Sequence, residues 1–168
     1  MIVVPFTRLH LDAIKAVPDA VFVRVDGDHG YRLLLQRLWA NGEPFTLVEH
    51  DVAPTAAQLA ALEGCERPWC HYGYCPGDWV PTFGCVRFSA DLIAGTQGIW
   101  DDASWPWGQL DARFHVAARE RGFEPHWHYP HVLHTRFPIF GERQKMTRDL
   151  EMYVLQAEIE MVREETLA

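Results

Sequence analysis

No run of this sequence approaches the roughly 18–20 consecutive apolar residues of a membrane-spanning helix, so no segment is expected to cross a bilayer. Positive charge is also scarce. Fifteen Lys and Arg stand against 23 Asp and Glu, a formal net charge of -8, with a sequence pI near 5.5. A general nucleic-acid binder carries a basic face, so nucleic acid is not an expected partner. An acidic balance does suit a chain that recruits cations locally. The opening MIVVPFTRLH has no basic region ahead of its apolar run, and it reads as a first strand rather than a signal peptide. A cytoplasmic location is expected. Nor is there a CxxC pair: the four cysteines are Cys65, Cys70, Cys75 and Cys85, three of them spaced by five. Zinc sites usually draw on shorter ligand pairs. Free, partly buried thiols in a reducing compartment are the plainer expectation. Internal repeats and low-complexity segments are absent too.

What is present is a chain of 168 residues, 48% hydrophobic, enough for an ordinary core. Ile2 to Pro5 is a β-branched run closed by Thr7-Arg8. Leu11, Ile14 and Val17 follow at helical spacing. Ala20 to Val25 predicts a second strand, and Asp26-Gly27-Asp28-His29-Gly30 a turn. Tyr31 to Ala40 predicts a helix ended by Asn41-Gly42, Phe45 to Val48 a third strand, and Thr55 to Glu63 a helix capped by Thr55 and stopped by Gly64. The first 64 residues thus alternate strand and helix. That pattern predicts an α/β fold, a Rossmann-like domain with a mostly parallel central sheet flanked by helices. Ligands of such sheets sit beyond the carboxyl ends of the strands. Thr7-Arg8, Asp26-Gly27 and Glu49-His50-Asp51 all fall there.

Trp69 to Pro81 is irregular, rich in aromatics, Gly and Pro. Thr82 to Ser89 predicts a strand and Ala90 to Ala94 a short helix. Gly95 to Gly108 reads as a loop bearing Trp100, Trp105 and Trp107, which either stack on a ligand or cap the core. Gln109 to Arg121 predicts a helix. Residues 142–165 predict one long helix that packs on the domain or on a second subunit, so the chain divides into a domain over 1–138 and a C-terminal helix over 139–168.

Glu49 and Asp51 are the acids with the clearest chemical reading. In an extended chain alternate side chains share a face, so both carboxylates would meet one ion and His50 would turn away. Hard oxygen ligands suit Mg²⁺ or Mn²⁺ on substrate phosphates; a solvated acidic turn is the alternative. His126, His128, His131 and His134 form a dense cluster. His126 and His128 share a face if extended, His131 and His134 if helical, and an imidazole among them is a credible extra ligand. Asp111, near a helix start, either complements the helix dipole or serves as a general base.

In their order, these parts resemble the GT-A glycosyltransferases, the nucleotide-sugar-dependent family, of the small bacterial or phage-like kind. IVVPFTR resembles the family's first strand and nucleotide-binding turn. LVEHDVAP resembles its DxD segment, with Glu49 in place of the first Asp. PTFGCVRFSADLI resembles the Gly-containing strand beside the donor sugar, and WGQLDARFHVAARERGFEPHWHYPHVLHTRF the closing segment. The likeness covers residues 1–136, abbreviated between Ser89 and Asp111. It implies a hexosyltransferase-like enzyme moving sugar from a nucleoside-diphosphate sugar (UDP- or GDP-sugar) to an acceptor hydroxyl on a glycan, protein or small molecule. It implies Mn²⁺ or Mg²⁺ on Glu49, Asp51 and His134. Donor-site residues would be Pro5, Thr7, Arg8, Asp26, Glu49, His50 and Gly84, and Asp111 would act catalytically. Two other readings stand beside it. One is a non-catalytic nucleotide-sugar- or partner-binding module on a trimmed fold. The other is a structural or hydrolytic zinc protein using the cysteines and histidines, His71 among them, in which loss of Cys70 and Cys75 would release the metal. On any of these readings the C-terminal helix offers a route to a homo-oligomer.

Overall fold

The computed structural model describes residues 1–73, 81–101 and 109–135. The chain runs β1 (Ile2–Phe6), α1 (Leu11–Ala16), β2 (Val21–Arg24), α2 (Gly27–Asn41), β3 (Phe45–Val48), β4 (Val52–Ala53) and α3 (Ala56–Glu63). It continues β5 (Trp69–Tyr72), β6 (Cys85–Phe88), α4 (Ala90–Gly95), α5 (Leu110–Glu120), β7 (His126–His128) and β8 (Leu133–His134). Six strands form one sheet in the order β2-β1-β3-β6-β5-β7; β4 and β8 make a separate two-stranded ladder. β6 pairs antiparallel with both β3 and β5, and the other pairings in the large sheet are parallel. The predicted mostly parallel sheet flanked by helices is therefore the fold observed.

Both faces of the sheet are covered, which is why its strands read as near-continuous apolar runs. Side chains alternate along each strand. Val3, Phe45, Leu47, Trp69, Val86 and Phe88 join one core with α2, α4 and α5. Val4, Phe6, Val48, Cys70, Tyr72 and Cys85 join a second core with residues from α1 and α3. The result is three layers, helix–sheet–helix. In the first core the rings of Phe45, Phe88, Trp100 and Phe114 all lie 5.0–5.6 Å from that of Trp39. Trp100 stacks on Phe114 at an interplanar angle of 4°. Each such aromatic pair adds about 0.5–1.5 kcal/mol beyond burial. Trp100 thus caps the core, as one of its two expected roles had it.

Several local expectations hold and some do not. Thr55 closes a capping box with Gln58 on α3, and Gly42 ends α2 in the left-handed conformation at φ +73°. The turn expected over Asp26 to Gly30 is instead the start of α2. Gly27 takes φ +64°, a backbone state that only glycine adopts without strain, and leads directly into the helix. The irregular segment at Trp69 holds a fully buried strand, β5, because Trp-Cys-His-Tyr lies between two neighbours and needs no polar alternation. The short strands β4, β7 and β8 carry too few residues to show a period. Trp105, Trp107, Cys75, the helix expected over 142–165 and the boundary at 138 lie outside the described residues.

Two buried polar groups set testable costs. The Trp39 indole N–H donates to Thr96 Oγ1 at 2.8 Å, and the Thr96 hydroxyl donates to the Leu92 carbonyl at 2.6 Å. Thr96→Val keeps the shape but strands the indole donor, so urea unfolding should show a loss of about 1–3 kcal/mol. His71 is fully buried. Burial, reinforced by His115 and by His128 and His126, pushes its pKa from 6.5 down to about 3, against an opposing backbone hydrogen bond at Tyr72. A histidine depressed in the folded state is protonated more readily when unfolded, so its contribution is intact above about pH 6.5 and is lost as pH falls toward 3. By pH 4.5 that loss should reach roughly 2–3 kcal/mol, and His71→Leu should flatten this part of the stability–pH curve in urea titrations.

Candidate functional site

Parallel strands place their carboxyl ends on one edge. Thr7 and Arg8 follow β1 there, both exposed. Asp26, exposed, follows β2 and precedes α2. Because β6 is reversed, its amino end lies on the same edge, and Gly84 stands just before it. The Gly84 carbonyl accepts a hydrogen bond from Glu49 N–H at 2.9 Å, anchoring the acid segment after β3. Pro5 lies inside β1 opposite Val23, buried, one step short of the edge.

Glu49-His50-Asp51-Val52 is not extended. Val52 N–H donates back to the Glu49 carbonyl at 3.0 Å, closing a turn with His50 and Asp51 at its tip. The expected alternation of Glu49 and Asp51, with His50 turned away, therefore fails. His50 is buried, and its Nε2 lies 3.9 Å from Asp51 Oδ2.

The turn leads into β4, which pairs antiparallel with β8 in the register Val52 to His134. That ladder brings in His134, whose Nε2 lies 3.7 Å from the same Asp51 oxygen. Thr135 completes the clasp: its N–H and its hydroxyl both donate to the Asp51 carbonyl, at 2.7 and 3.0 Å. Thr135 Oγ1 also lies 3.3 Å from His10 Nδ1, and the His10 ring sits 5.7 Å from that of His50. Asp51 and His134 are each only 5% exposed. A carboxylate so withdrawn from water needs polar partners, and two imidazole nitrogens stand around it.

Asp51 and His134 thus offer one oxygen and one nitrogen donor from segments 83 positions apart in the sequence. This donor set fits a divalent ion of the Mn²⁺ or Mg²⁺ kind, which takes carboxylate oxygen and tolerates imidazole. Glu49 lies half-buried at the start of the turn, its N–H held by the Gly84 carbonyl. Asp111 sits in the first turn of α5, and its Oδ1 accepts from Ala112 N–H at 2.8 Å.

Of the four clustered histidines, His134 is the one beside Asp51. His126 and His128 sit on β7, and the His131–His134 stretch is not helical, so those two do not share a face by helical spacing. Cys70 and His71, neighbours on β5, point to opposite faces of the sheet and so do not face one ion together. His10, Thr135 and Gln58 were not singled out from the sequence. His10 lies two positions past Arg8 in the same strand-end loop, which was the available signal. The other two are recognisable only once β8 is paired.

A mostly parallel six-stranded sheet with one reversed strand, layered by helices, is a GT-A-like fold of the kind seen in solved glycosyltransferases. No family model and no curated protein matches the chain. Among solved structures it is similar to a glycosyltransferase involved in the glycosylation of the major capsid of PBCV-1, with TM-score 0.52 and 11% identity, covering 90% of this chain and 98% of that one. It is likewise similar to the catalytic domain of Drosophila beta1,4-galactosyltransferase 7, solved with xylobiose, with TM-score 0.56 and 15% identity over 90% of this chain and 77% of that one. Among the described residues, no helix is long and apolar enough to cross a membrane.

Gln58 supports the site from behind. Its Nε2 donates to the carbonyls of Pro130 and His131, at 3.1 and 3.3 Å, while its Oε1 accepts from Thr55 N–H at 2.9 Å. Gln58→Ala should cost about 1–3 kcal/mol in urea unfolding, more than the roughly 1 kcal/mol expected for the cap variant Thr55→Ala, because only Gln58 also holds the chain leading into β8.

Proposed function

We propose that the chain is a metal-dependent glycosyltransferase that moves a sugar from a nucleoside-diphosphate sugar to an acceptor hydroxyl, hexosyl transfer being the subclass its motifs favour. The observation that carries this is the meeting of Asp51 Oδ2 and His134 Nε2 at 3.7 Å on the ligand-binding edge of the sheet. The GT-A-like fold supports it.

In this reading Asp51 and His134 hold Mn²⁺ or Mg²⁺. When bound, the ion supplies Lewis-acid stabilisation of the departing nucleoside diphosphate. Thr135 fixes the Asp51 backbone, and the turn closed by Val52 aims the carboxylate. Thr7 and Arg8, exposed past β1, face the nucleotide, Arg8 with a guanidinium suited to phosphate oxygens. Asp26 past β2 accepts from ribose or base hydroxyl and N–H groups. Glu49, His50 and Gly84 shape the floor beneath the donor. Asp111 takes the proton from the acceptor hydroxyl in an inverting transfer, or orients the acceptor in a retaining one.

A thermal-shift panel of nucleoside diphosphates with and without Mn²⁺ tests this, since a ligand bound to the folded state raises apparent stability by mass action. One nucleotide family should raise Tm in a Mn²⁺-dependent way, and Asp51→Ala and His134→Ala should each abolish the Mn²⁺-dependent part. No shift with any nucleotide sinks the proposal. A shift without sugar hydrolysis or transfer, across a panel of donors and acceptors, reduces the chain to a binding module. With turnover in hand, Asp111→Asn should lower kcat by at least 100-fold while leaving the nucleotide shift in place.

A further inference from the structure

The second core ends, at the β5–β7 border of the sheet, in a group of soft and borderline ligands that the site above does not use. β7 pairs parallel with β5, Cys70 facing His126 and Tyr72 facing His128. Alternation then puts His126 and His128 on the same side of the sheet as Cys70 and α3. Cys65, just past α3, reaches that side from the connection to β5 and packs against the second core. Cys65 Sγ lies 3.3 Å from His126 Nδ1, the His126 and His128 rings are 4.6 Å apart, and the three ligand atoms all lie within 4.8 Å of one another. A tetrahedral zinc ion, with Zn–S near 2.3 Å and Zn–N near 2.0–2.1 Å, sets its sulfur and nitrogen ligands about 3.5 Å apart. The Cys65–His126 distance of 3.3 Å already matches that separation.

A second observation points the same way. His128 Nε2 is buried and has no hydrogen-bond partner. A buried polar atom left so costs free energy that a ligand would recover.

We propose that Cys65, His126 and His128 form a zinc-binding centre, separate from the Asp51–His134 pair, that fastens edge strand β7 to the α3–β5 connection. One thiolate and two imidazoles select Zn²⁺ over Mn²⁺ or Mg²⁺, which prefer oxygen. Three protein ligands leave the fourth position to water. Cys70, although its thiol neighbours Cys65, is fully buried and donates to the Leu62 carbonyl 3.8 Å away, so the ligand cluster stands without it. On binding, the Cys65 thiol releases its proton to solvent and its sulfur bonds the ion. Fastening β7 also steadies the chain that runs on to His134, which ties the two centres mechanically.

Co²⁺ replaces Zn²⁺ in such sites and reports sulfur ligation by thiolate-to-metal charge-transfer absorption. Titrating the apo protein with Co²⁺ alone should give one equivalent with that band, displaced by Zn²⁺. Cys65→Ala should lose the band entirely, and His126→Gln should weaken Co²⁺ affinity at least tenfold. Cys70→Ala and Asp51→Ala should retain it, with far-ultraviolet circular dichroism confirming that every variant is folded. Absence of the band in the parent, its persistence in Cys65→Ala, or its loss in Cys70→Ala would each overturn the assignment. The readout is blind to oxygen-ligated ions, so its failure is distinguishable from failure of the transferase reading.

Discussion

Strand β6 holds the two halves of this sheet together. On one side it pairs with β3 from Phe45–Phe88 to Val48–Cys85; on the other it pairs with β5 from Trp69–Phe88 to Tyr72–Cys85. Every other strand of the sheet belongs to one half or the other. Asp51 hangs from the half containing β3, and His134 follows the half containing β7. Without the reversed strand between them the two could not share a sheet edge. Its direction matters as much as its position, because only an antiparallel β6 brings Gly84 to the carboxyl edge, where its carbonyl anchors Glu49.

The site is assembled mainly from backbone hydrogen bonds. Val52 to Glu49 closes the acid turn, the β4–β8 ladder sets the register, and Thr135 clamps the Asp51 carbonyl twice. Backbone positioning of this kind brings the side chains of Asp51, His50 and His134 together, and their burial strengthens any electrostatic contact made there. The aromatic core around Trp39 gives the opposite face its rigidity and draws Trp100 and the start of α5, hence Asp111, into a fixed relation with the sheet.

Much of this was legible in the residues. Alternating strand and helix over the first 64 residues, the Thr55 cap, Gly42 and Gly64 all announced local choices made by backbone chemistry that acts over four or five residues. Short-range chemistry misled at two places. Asp26 to Gly30 has the composition of a turn, but Gly27 at positive φ opens a helix. Trp69 to Tyr72 looked irregular because a strand buried on both faces has no polar alternation to display. Glu49-His50-Asp51 was identified as the acid cluster, whereas its conformation was not, since a three-residue segment carries no period.

The sequence by itself determined the fold class, the strand-end location of its polar clusters and the identity of the residues with metal-binding chemistry, because hydrophobic periodicity and turn residues act locally. Only the tertiary structure decided which of them meet. Asp51 with His134, and Cys65 with His126 and His128, are separated by more than 60 positions, and their pairing depends on strand order and register. Those arise from packing two apolar faces of one sheet at once, a condition no local stretch of the chain can express.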